Sequence, residues 1–289
     1  NGGDNSPSGG GGGGGGRVAV TYTSDTSSGT IELSTLTAAD TSPGGTAGTN
    51  GVNGSNGSFY TAVTVVPGPE MTAATTADND GDGQIDRVVI TLDQDVDGTT
   101  VAGSDFTLDG GFSVASASRT ANSQITLVVT ESGAGDSDAT PTVTIAGSIA
   151  DTDGNTTTSG TQASTDAAAP VASTFVYKDT DADGDIDRID ITFSENPAVD
   201  ECEAGDYTFA GADAGSFAVS GCTGSGDDMQ LTVTGGAAND TNVTITLAYT
   251  AANGTANSLD DSAGNAVANI SATSVTDGAA PKFVSHSYK

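Results

Sequence analysis

Tryptophan is absent from this 289-residue chain, histidine occurs once, cysteine twice, and seven basic residues stand against 38 acidic ones. Each scarcity excludes something. One histidine (His286) and two cysteines cannot supply a nucleophile, a base and an orienting partner together, so no hydrolytic triad is available. Carboxylate pairs abound, but a glycosidase needs a cleft that stacks sugar rings, and 5% aromatic residues supply it poorly. Carbohydrate-binding modules meet the same objection. An enzyme is not expected. A formal charge of −31 argues against nucleic acid or an anionic membrane as partner. No apolar run approaches the ~20 residues of a membrane-spanning helix, so no membrane insertion is expected. No signal peptide is visible, and a secreted protein would be written here in processed form.

What remains is Thr, Ser, Ala, Gly, Asp and Val, the vocabulary of short strands and tight turns. Cores built from Val, Ile and Ala bury little area per residue, so metal and cross-links would matter more than usual. The negative charge suits a saline or calcium-rich exterior, where divalent ions screen the surface.

Two stretches spell the same loop. Asp78-Asn-Asp80-Gly-Asp82-Gly83-Gln84-Ile-Asp86 and Asp179-Thr-Asp181-Ala-Asp183-Gly184-Asp185-Ile-Asp187 share D-x-D-x-D-G-x-I-D, 101 positions apart. Alternate carboxylates on a tightly turning loop converge on one point, and Gly at the sixth place permits the turn. The seventh residue (Gln84 or Asp185) would add its backbone carbonyl. Carboxylates this close repel by roughly 1 kcal/mol per pair even in water, and a hard, oxygen-preferring cation relieves the repulsion. Calcium is the expected ligand. Neither loop ends as an EF-hand does, because the twelfth position is Val89 or Asp190 rather than Glu, and a strand follows each loop instead of a helix.

The loops sit at equivalent places in two longer repeats. Pro69 and Pro170 each precede their loop by nine residues. Ile-Thr-Leu-Asp (90–93) answers Ile-Thr-Phe-Ser (191–194), and Asp-Phe-Thr-Leu (105–108) answers Asp-Tyr-Thr-Phe (206–209). Gln-Ile-Thr-Leu (124–127) is set against Gln-Leu-Thr-Val (230–233), and Pro-Thr-Val-Thr-Ile (141–145) against Thr-Asn-Val-Thr-Ile (241–245). Asp151-Thr-Asp-Gly-Asn155 pairs with Asp261-Ser-Ala-Gly-Asn265. Alternating patterns with turn signals about every ten residues predict an all-β protein, with about seven strands per repeat in a β-sandwich.

Thr-Phe-Ser-Glu (192–195), Asp-Tyr-Thr-Phe (206–209), Asp-x-x-Gly-Asn (261–265) and the Ala-Ala-Pro junctions resemble bacterial Ig-like domains of the S-layer type. The resemblance covers about 67–281. It implies tandem Ig-like sandwiches on an extracellular or cell-surface protein, as in surface layers, adhesins and large secreted enzymes. The first copy departs from the motif, with Leu-Asp for Phe-Ser and no Glu. The expected organisation is a Gly-rich N-terminal tail (1–16), a partial β domain (17–66) and two Ig-like calcium-binding domains (67–168 and 169–280). A lone strand (281–289) follows.

Cys202 and Cys222 lie in one repeat only. Aligning the copies places Val101 opposite Cys202 and Ala117 opposite Cys222, so one copy has a small apolar pair where the other has thiols. A disulfide is favoured; two unpaired buried thiols are the alternative.

In a seven-strand sandwich the turn after the first strand lies at the downstream pole. The loop at 78–86 should therefore face the next domain, near the linker Asp166–Pro170 and the turn Asp260–Asn265. Whether Asp166, Asp260 or Asp261 reaches its ion is left open. Segment 282–289 begins a third copy, and Arg17–Pro67 resembles the back half of a repeat. A half-domain exposes strand edges. Residues 282–289 of one subunit could complete the 17–66 sheet of the next, a head-to-tail contact that builds a homopolymeric filament. The alternative is a fragment of a longer array.

Asn-x-Ser/Thr sites (Asn53, Asn56, Asn155, Asn239, Asn242, Asn253, Asn269) offer places for glycans. The expected function is an extracellular structural subunit of a calcium-stabilised filament or surface layer. The stalk of a cell-surface adhesin, or an accessory module of a secreted hydrolase, is the alternative.

Overall fold

The structure is a computed structural model that describes residues 66–283 except 132, 134, 199–202, 237 and 252–258. The Gly-rich tail, nearly all of the expected partial domain, Cys202, His286, and residues 284–289 of the lone strand lie outside the described residues. Contacts divide the chain into two compact units. The described part of one is residues 66–70 with Ile149–Thr157; the other holds Met71–Ser148 and Thr158 onward.

The first repeat contributes β1 (Met71–Ala77), β2 (Arg87–Leu92), β3 (Phe106–Leu108), β4 (Ser113–Ala121), β5 (Gln124–Thr130) and β6 (Thr142–Ile145). After them come a short hairpin of β7 (Ile149–Ala150) and β8 (Thr156–Thr157), and then β9 (Thr161–Thr165). The order β4-β5-β2-β1 forms one layer and β9-β6-β3 the other. They join because β1 pairs antiparallel with β2 on one side and parallel with β9 on the other. This is the four-plus-three arrangement of an immunoglobulin-type sandwich.

The second repeat rebuilds it with β10 (Ala172–Lys178), β11 (Arg188–Phe193), β12 (Tyr207–Ala210), β13 (Ala218–Ser225), β14 (Asp228–Thr234), β15 (Thr246–Tyr249), β16 (Ile270–Ser274) and β17 (Thr276–Asp277). Here the order is β13-β14-β11-β10 against β12-β15-β16, and the last strand is broken so that β17 pairs parallel with β10. The protein is all-β as expected, and among the described residues the only helical turns are short 3-10 segments.

Alternation decides which side chains go inward. In β2, Val88, Ile90 and Leu92 are buried, and in β11 Ile189, Ile191 and Phe193 take the same places. Burying each such side chain contributes about 1.5–3 kcal/mol. The first core is aliphatic apart from Phe106, whereas the second buries Phe175, Tyr177, Phe193, Tyr207, Phe217 and Tyr249.

Strand pairing corrects two of the sequence matches. Val88 pairs with Leu127 and the equivalent Ile189 with Leu231, so Leu127 corresponds to Leu231 and the Gln-x-Thr match was displaced by two residues. Phe106 pairs with Ile145 but Tyr207 with Tyr249, so the match of 141–145 to 241–245 was displaced by four. Both slips are even, and an even slip keeps every side chain on its own face, so the hydrophobic pattern could not reveal them. Ala117 and Cys222 do correspond, since they pair with Leu127 and Leu231.

Candidate metal centre

Each acidic loop connects the first two strands of its sandwich, between β1 and β2 or between β10 and β11. Its eighth residue, Ile85 or Ile186, is buried and pins the loop to the core. The sixth, Gly83 or Gly184, has φ of 90° or 94°, a left-handed conformation that a side chain would strain. The fourth position is left-handed too, filled by Gly81 at 76° in the first loop but by Ala182 at 60° in the second.

The first carboxylate of each loop organises the turn. Asp78 Oδ1 and Oδ2 accept the backbone N–H groups of Gly81 and Gly83 at 2.7 Å each. Asp179 Oδ2 accepts from Gly184 at 2.9 Å and its Oδ1 from Asp183 at 3.2 Å. At the ninth place Asp86 accepts from the Asn79 N–H at 3.0 Å, and Asp187 from the N–H of Thr180 at 3.1 Å. The loop is therefore folded largely by its own aspartates.

Of the candidate ligands, Asp78, Asp80 and Asp82 each place an oxygen within 4.8 Å of the others, and so do Asp179, Asp181 and Asp187. Oxygens bound to one Ca²⁺ at 2.3–2.6 Å can lie up to about 5 Å apart, so both sets fit a hard cation. Asp86, Asp183 and the seventh-place side chains are not part of these groups. Asp183 Oδ1 instead accepts from the N–H of Asp185. The Gln84 side chain crosses to the loop between β5 and β6, where Oε1 accepts from the Gly133 N–H. Asp185 does the same in its own repeat, Oδ1 accepting from the Asn239 N–H at 2.6 Å. The seventh residue thus acts as a strut to the neighbouring loop through its side chain.

Electrostatics at the first loop match the crowding. Partial desolvation, then Asp82, Asp78 and Asp86, raise the Asp80 carboxyl above its ordinary value. Glu131, at the end of β5, is raised mainly by Asp82, then by desolvation and the other loop aspartates. Sequence reasoning missed Glu131, because it lies 45 residues beyond Asp86 and only strand pairing brings it near the loop.

The first loop does face the second sandwich. Asp78 and Gly81 share a cleft of about 390 Å³ with Ala169–Ala172 and Val267–Ile270. A Cβ at Gly83 would lie 2.8 Å from that of Ser194 and 3.4 Å from that of Val171. Ser194 Oγ accepts from the Val171 N–H at 2.9 Å and meets Ser137 Oγ of the first sandwich at 2.5 Å. The second loop meets the corresponding residue of the next copy. Lys282, which follows Pro281 as Val171 follows Pro170, donates from Nζ to the Asp183 carbonyl and lies over Gly184. Asp166 and Asp261 do not join the first loop's aspartates. They group with Glu195, a residue not singled out as a ligand from sequence.

Cys222 lies on β13, packed at the edge of the second core. Among the acceptor asparagines, Asn155 is buried at 3% exposure and donates from Nδ2 to Asp151, so it is no glycan site. Asn239, Asn242 and Asn269 are exposed.

Fold and site together define an acidic protein of repeated Ig-like sandwiches with paired carboxylate loops. No family profile matches the chain. Over 95 residues it is 37% identical to an outer cell wall protein of Brevibacillus brevis, a match covering 31% of this chain and 9% of that protein. Among solved structures it is similar to the N-terminal part of the bacterial S-layer protein SbsC (14% identity, TM-score 0.30, 70% of this chain and 43% of that one). It is also similar to the Escherichia coli adhesin FdeC (12% identity, TM-score 0.26, 81% of this chain and 72% of that one). At these scores neither structural likeness bears on function.

Proposed function

We propose that this chain is an extracellular structural protein whose two Asp-rich loops bind Ca²⁺ and stiffen successive sandwiches into a filament or surface layer. The observation that carries the reading is the seat of the first loop. Its aspartates converge at the pole of one sandwich, where Gly83 of the same loop packs against Val171 and Ser194 of the next and Asp78 lines the cleft between them. Neutralising that loop would order the joint as well as the turn, and a chain of ordered joints is a rod. The match to an outer cell wall protein supports a place on the cell surface.

Copies of the same chain are the expected partners, joined head-to-tail by donation of 282–289 to the 17–66 segment. Phe283 supports this: it is a large apolar side chain left 77% exposed. The Cys202–Cys222 disulfide belongs to the same reading, a cross-link worth about 2–4 kcal/mol to the second sandwich.

Electron microscopy of the purified chain with calcium and with chelator tests the whole. Filaments or sheets with calcium, absent with chelator and absent from a chain lacking 282–289, are expected. Monodisperse rods in calcium would instead favour the adhesin stalk. Melting temperature unmoved by chelator would remove calcium from the account. Peptide mapping without reduction reads the disulfide directly.

A further inference from the structure

We propose that Asp166, Glu195 and Asp261 form a third divalent-cation site, separate from both loops, where the chain passes from the first sandwich into the second. Each residue comes from a different segment: Asp166 from the linker after β9, Glu195 from just past β11, and Asp261 from the Asp-x-x-Gly-Asn turn. One carboxylate oxygen from each lies within 4.8 Å of the other two, the spread that a single calcium-sized ion spans.

Two further observations point to a ligand. Glu195 is buried at 3% exposure and its Oε1 has no hydrogen-bond partner. Asp261, at 4% exposure, is held rigidly: Oδ1 accepts from the N–H groups of Ala263 (2.8 Å) and Asn265 (2.9 Å), and Oδ2 from Asn265 Nδ2 (2.8 Å). Asp166 is oriented by the Ala168 N–H at 3.0 Å. Among the described residues no lysine or arginine pairs with any of the three. Two buried carboxylates and a half-buried one gathered without a counter-charge are costly, and a hard cation with oxygen ligands relieves all three at once.

The chain carries its own control. By the repeat alignment, Val65, Gln94 and Asp151 stand where Asp166, Glu195 and Asp261 stand in the second copy. Two of the three carboxylates are missing there, so the set does not recur in the first copy. The site does not depend on the loops binding calcium.

Calcium titration of the full chain at neutral pH, read by calorimetry or equilibrium dialysis, tests it. Glu195→Gln and Asp166→Asn should each bind one Ca²⁺ fewer than the wild-type chain, with unchanged far-ultraviolet dichroism. The loop variant Asp80→Asn/Asp181→Asn should keep this ion. Should Glu195→Gln misfold, Asp166→Asn, altered on the linker, carries the test alone. Unchanged stoichiometry and affinity in Asp166→Asn overturns the site. Loss of no ion in the loop variant overturns the loop reading instead and leaves this one standing.

Discussion

The two acidic loops share a sequence pattern and a backbone path but not a neighbour. The first is covered by Val171 and Ser194 of a folded sandwich, the second by the flexible side chain of Lys282. One loop therefore meets a valine and a serine, uncharged side chains, and the other a positive charge on a long side chain. The lesson is that a duplicated site acquires its properties from what the next segment lays over it, not only from its own ligands.

The largest effect that would sharpen this comparison is expected from the buried eighth residue. Ile85→Ala and Ile186→Ala each remove a core side chain and should cost about 2–5 kcal/mol by denaturant melts. Closely matched losses are expected because both isoleucines anchor their loops alike. A large gap between them would mean that the anchors differ as well as the covers.

Next comes the sixth position. Gly83→Ala puts a methyl in a left-handed conformation and drives it into the Ser194 Cβ, and about 2–3 kcal/mol should be lost. Gly184→Ala meets the Lys282 side chain, which can swing aside, so only the backbone strain of about 1–2 kcal/mol remains. Equal costs would show that the first loop does not press on the second sandwich as described.

A charge swap probes the covers themselves. Lys282→Ala should tighten calcium binding at the second loop by about two- to fivefold, and Val171→Lys should weaken it at the first by a similar factor. Terbium luminescence, titrated at low ionic strength, reads both. No change in either would show that the ammonium does not act on the loop.

The smallest effect concerns the fourth position. Ala182→Gly relieves a left-handed alanine and should stabilise the second sandwich by about 0.5–1 kcal/mol, whereas Gly81→Ala should cost a similar amount in the first. Opposite signs are the expected result, measurable as shifts in melting temperature.

Much of this was legible beforehand because its causes are local. The loops could be read because a turn that gathers alternate aspartates needs glycine at one place and a buried isoleucine two places on. The all-β fold followed from Val88, Ile90 and Leu92 alternating with exposed neighbours, and parity alone turned the first loop toward the second sandwich. Other features had no local signature. Leu127 was matched to Val233 rather than Leu231, because shifting a strand by two residues leaves its faces unchanged. Glu131 reaches the first loop only through strand pairing. Glu195 looked like one polar residue in a family-like motif until packing buried it.

By itself, then, the order of residues determined the strands, the repeats, the acidic turns and which candidate ligands lie close along the chain. Only tertiary structure decided register, the covers over each loop, and the gathering of Asp166, Glu195 and Asp261. The physical reason is range. Backbone sterics and side-chain alternation act over a few residues, but burial and the repulsion of distant carboxylates exist only once separate segments have been brought to the same place.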